Sequence, residues 1–133
     1  MTENKKELLI KDLSARVPYG VKYMRYSWNY DTDQELPVIE TLECVDKDGY
    51  INHRRVYTVD DIKPYLFPLS SMTEEQKQEL NNLVEESVFQ ILHSEDGNPQ
   101  PQIPMDWYNK NHFDYRGLIP MGLAIDASRL NIY

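Results

Sequence analysis

Apolar residues recur at intervals of about four near the start of the chain, which predicts a helix. Leu9, Leu13 and Val17 follow this spacing, with charged residues between them. The Pro-Tyr-Gly run at 18–20 ends the pattern. We therefore expect a helix over 1–17 whose apolar face packs on the rest of the protein.

The next segment alternates apolar and polar residues, which is typical of a strand with one buried face. Met24, Tyr26, Trp28 and Tyr30 are its apolar members. We expect these four side chains to point into the core, and we predict an antiparallel sheet over 20–57.

The residues Asp-Lys-Asp-Gly at 46–49 predict a hairpin turn inside this sheet, because the glycine can adopt a positive φ. A hairpin centred there places Cys44 opposite Ile51 and Glu40 opposite Arg55. Cys44 would then be an inert thiol in an apolar cluster.

A second helix is predicted from a capping box. Thr73 has the side chain of an N-cap residue, and Gln76 follows three positions later. Apolar residues at helical spacing continue the pattern, so we expect a helix over 73–92 that packs against the sheet. The glycine and three prolines of 94–104 predict a linker, and 105–133 is expected to wrap over the domain.

These elements predict an α+β fold in a single domain, 1–133. It would contain an N-terminal helix, a three- to four-stranded antiparallel meander, one long acidic helix and an irregular C-terminal segment. The pattern does not decide whether the meander closes into a small SH3-like barrel.

Charge and composition limit the classes of partner that the protein can bind. The net charge is −8, and residues 73–98 carry seven acidic groups and one basic group. Nucleic acid is therefore disfavoured as a partner, and a protein, including a second copy of the chain, is favoured. The single cysteine and the lack of a long apolar run indicate a cytoplasmic protein without membrane contact. We expect no cofactor and no metal.

The sequence HFDYR suggests one candidate site. His112 with Asp114 could act as a general base, and Arg116 could hold an anionic substrate. The same three residues, two apart in an extended segment, could instead form a salt-bridged ladder that anchors the C-terminal end. We favour the anchor.

A second candidate site lies on the predicted sheet. Tyr23, Arg25 and Arg54 combine an aromatic ring with two cations, which is how small barrels bind single-stranded nucleic acid. We expect Tyr23 and Arg25 to be the exposed residues of their strand.

Three stretches carry a resemblance to a known family: LLIKDLSARVPYGVK, YTVDDIKPYLFPLSSMTEEQ and HFDYRGLIPMGLA. They resemble a family of short proteins from anaerobic gut bacteria and their prophages, with 23–56 as the variable part. The resemblance implies a bacterial or phage cytoplasmic protein with an accessory role. It brings no activity, ligand or catalytic residue to this chain.

The leading functional hypothesis is a non-catalytic protein-interaction module, an accessory protein of a phage or mobile element. It follows from the lack of a phosphate-binding loop, an activated nucleophile or a metal-ligand pattern. One alternative is a small single-stranded nucleic-acid-binding protein that uses Tyr23, Arg25 and Arg54. The other is a small hydrolase that uses His112 and Asp114.

Overall fold

The structure, a computed structural model, describes residues 1–92 and 105–133. The predicted linker at 94–104 lies outside the described residues. The helices and strands are α1 (Glu3–Arg16), β1 (Lys22–Asn29), β2 (Gln34–Thr41), β3 (Tyr50–Ile51), β4 (Arg54–Thr58), β5 (Ile62–Pro68), α2 (Glu74–Leu92), α3 (Met105–Lys110), β6 (Phe113–Asp114) and β7 (Ile125–Asp126).

The first helix forms where its periodicity predicts it. Leu9 and Leu13 have no exposed surface. After α1 a single 3-10 turn, Val17–Tyr19, leads to Gly20, whose φ of 69° lies in the left-handed region that favours glycine. The predicted helix over 1–17 is confirmed, together with its apolar face.

The main sheet has the order β2-β1-β5-β6, and β7 also pairs with β5. β1 and β2 are antiparallel along their whole length, from Lys22 opposite Thr41 to Asn29 opposite Gln34. β5 is antiparallel to β1 at Tyr23–Arg25 and parallel to β6 and β7. The α+β class with mostly antiparallel strands is confirmed. Among the residues described, the sheet is open and does not close into a barrel.

The turn at 46–49 forms with its glycine at a φ of 90°, but the hairpin predicted around it is wrong. Val45 pairs with Ile51 across the turn as an isolated bridge. Asn52 and His53, at φ values of 53° and 57°, then reverse the chain at once and pair β3 with β4.

The predicted pairs Cys44–Ile51 and Glu40–Arg55 therefore do not occur. Glu40 lies opposite Tyr23 of β1, and Cys44 is half-buried. β2 pairs with β1 because the two strands are joined directly by the turn at 30–33.

The core lies between α1 and the sheet face that carries Tyr23, which is 1% exposed. The buried apolar cluster comprises Leu9, Leu13, Val21, Tyr23, Leu42, Ile51, Val59, Ile62, Leu66, Leu118, Leu123 and Ala124.

The opposite face of β1 is exposed, so the predicted burial of its aromatic residues is wrong. Tyr26, Trp28 and Tyr30 are 54%, 47% and 89% exposed, and Met24 is half-buried. Successive residues of a strand point to opposite faces. Because α1 packs on the Tyr23 face, the other aromatic side chains point to solvent.

The second helix begins with the predicted capping box. The Thr73 N–H donates to Gln76 Oε1 at 2.9 Å, and the Gln76 N–H donates to Thr73 Oγ1 at 3.2 Å. The helix predicted over 73–92 is confirmed. Between positions 74 and 86 none of its side chains is buried, and Gln76, Leu80 and Leu83 are half-buried, so this part of α2 buries less surface than a helix packed against the sheet was expected to bury.

The C-terminal segment, 105–133, packs back on the sheet of its own domain. β7 pairs with β5. The Tyr133 hydroxyl donates to the Tyr65 carbonyl oxygen at 2.8 Å and accepts from the Lys22 N–H at 2.9 Å. These contacts place the tail across β5 and the start of β1.

Candidate functional site

His112, Asp114 and Arg116 are close in sequence but do not converge in the structure. The buried Asp114 carboxylate accepts hydrogen bonds from the backbone N–H groups of Leu118 at 2.8 Å and Ile119 at 2.9 Å. In the part of the chain that the structure describes, Asp114 forms no ion pair with Arg116 and no hydrogen bond with His112. A general base needs its orienting carboxylate within hydrogen-bond reach. The three residues thus form neither a catalytic group nor the expected salt-bridged ladder.

Arg116 instead joins a buried ion cluster centred on Asp12. Arg16 Nε lies 2.8 Å from Asp12 Oδ2, and neither side chain has exposed surface. Arg116 Nε lies 3.1 Å from Asp12 Oδ1, and Arg16 Nη2 donates to the Phe113 carbonyl oxygen at 2.7 Å. One carboxylate therefore links α1 to the C-terminal segment through two guanidinium groups. In the sequence, Asp12 and Arg16 appeared only as an i, i+4 pair, a spacing common on exposed helices.

His112 is held in a neutral, stacked state. Its ring lies 3.8 Å from that of Tyr133, at an angle of 10°. Burial first, and then the positive charges of Arg16 and Lys22, lower the pKa of His112 to about 4. Since no carboxylate of the described residues orients this neutral ring, its environment fits an anchor for the C-terminal tail better than a base.

Tyr23, Arg25 and Arg54 do come together, around a residue that sequence reasoning did not single out. Glu40 Oε1 lies 2.7 Å from Arg25 Nη2 and 3.6 Å from Arg54 Nη1. Glu40 Oε2 accepts from the Tyr23 hydroxyl at 2.5 Å. The β1–β2 pairing, with Glu40 opposite Tyr23, is the signal that could have identified it.

The pKa values in this cluster have direct physical causes. The pKa of Glu40 is lowered to about 2, chiefly by the hydrogen bond from Arg25. Burial, and then the hydrogen bond to Glu40, raise the pKa of Tyr23. The Glu40 carboxylate is therefore charged at neutral pH and offsets the two arginines. Tyr23 is buried, contrary to expectation, and is not available to stack on a base.

The most exposed apolar surface on the sheet is the hairpin formed by residues 26–39, here called the aromatic arm. None of its residues is buried. Tyr26 and Trp28 lie on one face, opposite Pro37 and Glu35 of β2. Tyr30, at the turn, is 89% exposed. Exposed aromatic side chains grouped in this way are typical of a contact surface.

The aromatic arm is also acidic. Between positions 26 and 39 the chain carries Asp31, Asp33 and Glu35 and no lysine, arginine or histidine. All three acidic residues are exposed. The arm therefore combines aromatic rings with negative charge, which favours a cationic partner over a phosphate backbone.

One edge of the arm has unpaired backbone groups. β2 pairs with Tyr26–Asn29 on one side, while β5 begins at Ile62, opposite Arg25. Within residues 1–92 and 105–133 no strand pairs with the other side of Tyr26–Asn29. The N–H and C=O groups on that edge are available to an added strand.

A cleft of about 480 Å³ lies beside this edge, at the start of β5. Its lining residues are Met24, Tyr26, Glu35, Val56, Tyr57, Asp60, Asp61, Ile62 and Lys63. These described residues give the lining three carboxylates and one ammonium group. Two carboxylates have contacts of their own: Asp60 lies 3.8 Å from Lys6 Nζ, and Asp61 accepts from the Thr58 N–H at 2.9 Å.

Comparison with protein-family models, with curated proteins and with solved structures finds no significant match to this chain. No helix among the residues described is long and apolar enough to cross a membrane. In the same residues, no group of three or more acidic, histidine or cysteine side chains is arranged to hold a metal ion.

Proposed function

We propose that this protein is a non-catalytic protein-interaction module whose contact surface is the aromatic arm. The observation that carries the proposal is the exposure of Tyr26, Trp28 and Tyr30 on a hairpin without a single buried residue. Aromatic side chains of this kind supply a large share of the binding energy in protein interfaces. The family resemblance supports a cytoplasmic accessory role in a phage or mobile element.

Nucleic-acid binding has less support. Arg25 and Arg54 face the charged Glu40 carboxylate, and the aromatic arm adds three carboxylates. A strand of phosphates would meet repulsion at the surface that offers aromatic rings.

A hydrolase has less support for a geometric reason. The Asp114 carboxylate binds the backbone of the following turn, and His112 stacks on Tyr133. Neither side chain is placed to activate a nucleophile or a water molecule together with the other.

Site-specific crosslinking tests the proposal. In one variant a photoreactive phenylalanine analogue replaces Tyr30 at the tip of the arm. In a second variant the analogue replaces Gln78, an exposed residue of α2. The variants are irradiated in the cells that naturally contain this protein. We expect one defined protein to be crosslinked to the analogue at position 30 and not to the analogue at position 78. That protein, identified and purified, should bind the wild-type chain.

A loss-of-binding variant removes the aromatic rings of the arm by combining Tyr26→Ser, Trp28→Ser and Tyr30→Ser. Because truncation of a central aromatic residue typically costs about 2 kcal/mol or more, binding should weaken at least about 30-fold. Equal crosslinking from both positions, or unchanged binding by the variant, would contradict the proposal.

A further inference from the structure

The unpaired edge of β1 is unprotected. The outer edge of β2 contains Pro37, which removes a backbone donor, and the charged Glu35 and Glu40. In contrast, Tyr26–Asn29 contains no proline and no charged residue. Natural proteins usually blunt an exposed edge with such residues, so their absence here marks this edge as a place where another strand can pair.

Residues 1–92 and 105–133 leave this position open. β5 runs antiparallel to β1 but starts at Ile62, because the preceding 3-10 turn, Val59–Asp61, turns the chain away. That turn is fixed by a capping box in which Thr58 and Asp61 satisfy each other's polar groups. A strand placed beside Tyr26–Asn29 would therefore continue the line of β5 in the direction of its N-terminal end, next to the cleft.

The charge around this position defines the chemistry of its occupant. Asp31, Asp33 and Glu35 project from the arm, and none of the three forms an ion pair with a residue that the structure describes. Among the described residues that line the cleft, Lys63 is the one basic residue. An occupant with lysine or arginine side chains would pair with these carboxylates and lie over the exposed rings of Tyr26 and Trp28.

We propose that the edge of β1 at Tyr26–Asn29 receives an extended segment, rich in lysine or arginine, of a protein partner, which adds a strand to the sheet. This inference rests on the proposed function and names the partner's chemistry. Main-chain hydrogen bonds would supply the pairing, and alternate side chains of the segment would reach the aromatic face.

A second copy of the chain fits this edge less well. Symmetric pairing of two β1 edges would bring the acidic arms of both copies together, and like charges across an interface disfavour association. Single-stranded nucleic acid would meet the same negative charge.

The experiment uses the whole chain, 1–133, and four probes. The first is a short peptide of alternating lysine and valine, called the lysine peptide. The others are the same peptide with glutamate in place of lysine, the lysine peptide with alternate backbone nitrogens methylated, and a single-stranded DNA oligonucleotide. Affinity is measured by calorimetry, and hydrogen exchange reports those amides of Tyr26–Asn29 that point away from β2. We expect only the unmodified lysine peptide to bind and to slow exchange at these amides.

A charge variant tests the role of the carboxylates. Asp31→Asn, Asp33→Asn and Glu35→Gln together should weaken binding of the lysine peptide about tenfold, since each lost charge pair is worth roughly 0.5 kcal/mol. The control changes the net charge equally on α2, through replacement of Glu75, Glu85 and Glu86 by glutamine, and should retain full affinity.

Several results would overturn the inference. Equal binding of the methylated peptide would exclude strand addition, and binding of the acidic peptide or the oligonucleotide would exclude the charge argument. Dimers that form through protected Tyr26–Asn29 amides without any peptide would assign the edge to a second copy.

If the arm crosslinks to a protein but the lysine peptide does not bind, the partner chemistry is wrong while the proposed function stands. If the arm crosslinks to nothing, the proposed function itself fails.

Discussion

The ring of His112 stacks on the ring of Tyr133 with 3.8 Å between their centroids. His112 Nδ1 is buried and has no hydrogen-bond partner among the described residues. Tyr133, through its hydroxyl group, is bonded to the backbone of Lys22 and Tyr65. Protonation would place a positive charge in this site, next to the positive charges of Arg16 and Lys22, so the stacked arrangement favours the neutral form of His112.

The first prediction concerns pH. The pKa of His112 is lowered from 6.5 to about 4 in the folded state. Between these values the unfolded chain binds a proton that the folded protein does not, so the free energy of unfolding falls as pH falls from 6.5 to 4 and levels off below 4. The partly exposed ring reduces the expected loss to about 1–2 kcal/mol. Urea unfolding at several pH values measures it.

The matched variant is His112→Asn. Asparagine tolerates the positive φ of 60° at this position, but it does not titrate. The slope of stability between pH 6.5 and 4 should therefore be smaller in the variant by the contribution of His112. An unchanged slope would mean that another group causes it.

The second prediction concerns the buried ion cluster. Asp12→Ala leaves the guanidinium group of Arg16 buried without its carboxylate, which should cost about 3–5 kcal/mol. Arg116→Met removes the partly exposed partner and leaves the Asp12–Arg16 pair intact, so it should cost about 1 kcal/mol. Urea unfolding of the two variants distinguishes them, and equal losses would show that Asp12 does not hold the cluster together.

Features that depend on a few neighbouring residues could be predicted from the sequence. The helix over 1–17, the capping box at Thr73 and Gln76 and the turn at 46–49 are all of this kind. Each is determined by spacing or by hydrogen bonds within four residues. Two features that were predicted wrongly, the buried face of β1 and the hairpin around 46–49, depend instead on distant parts of the chain.

The buried face of β1 is the clearest example. Tyr23 and Tyr26 have the same side chain, and the alternation does not say which of them faces α1. The register of β2 was equally open, because the polar turn at 30–33 and the turn at 46–49 both lie beside it. Tyr23 joins the buried cluster that contains Leu9 and Leu13 of α1, and this long-range packing decides that Tyr23 is buried and Tyr26 exposed.

The HFDYR group failed as a site for a local reason that the pattern did not include. His112 lies in the turn before β6, and residues 115–116 form a bend after it, so the segment is extended only over Phe113–Asp114 and residues two apart need not share a side. Arg116 then reaches Asp12, which is 104 positions away in the sequence. Such a long-range ion pair cannot be found from spacing.

The third prediction concerns Glu40. Its pKa is lowered to about 2 from an ordinary value of 4.5, chiefly by the hydrogen bond from Arg25. The stabilisation is present above pH 4.5 and is lost as pH falls through 2, a window below that of His112. Glu40→Gln should remove this acid-dependent loss, which we expect to be about 1–3 kcal/mol. Glu43→Gln, on an exposed neighbour, is the control, and an equal change in both variants would exclude the Arg25–Glu40 pair as the cause.

The last prediction compares the two tryptophans. Trp107 is 7% exposed, stacks on Phe113 and donates from Nε1 to Glu79, so Trp107→Ser should cost about 3–5 kcal/mol. Trp28 is 47% exposed on the aromatic arm, and Trp28→Ser should cost less than about 1 kcal/mol. Urea unfolding measures both. A large loss from Trp28→Ser would mean that the protein itself covers the face of β1 that carries Trp28, and the arm would then have no free aromatic surface to offer a partner.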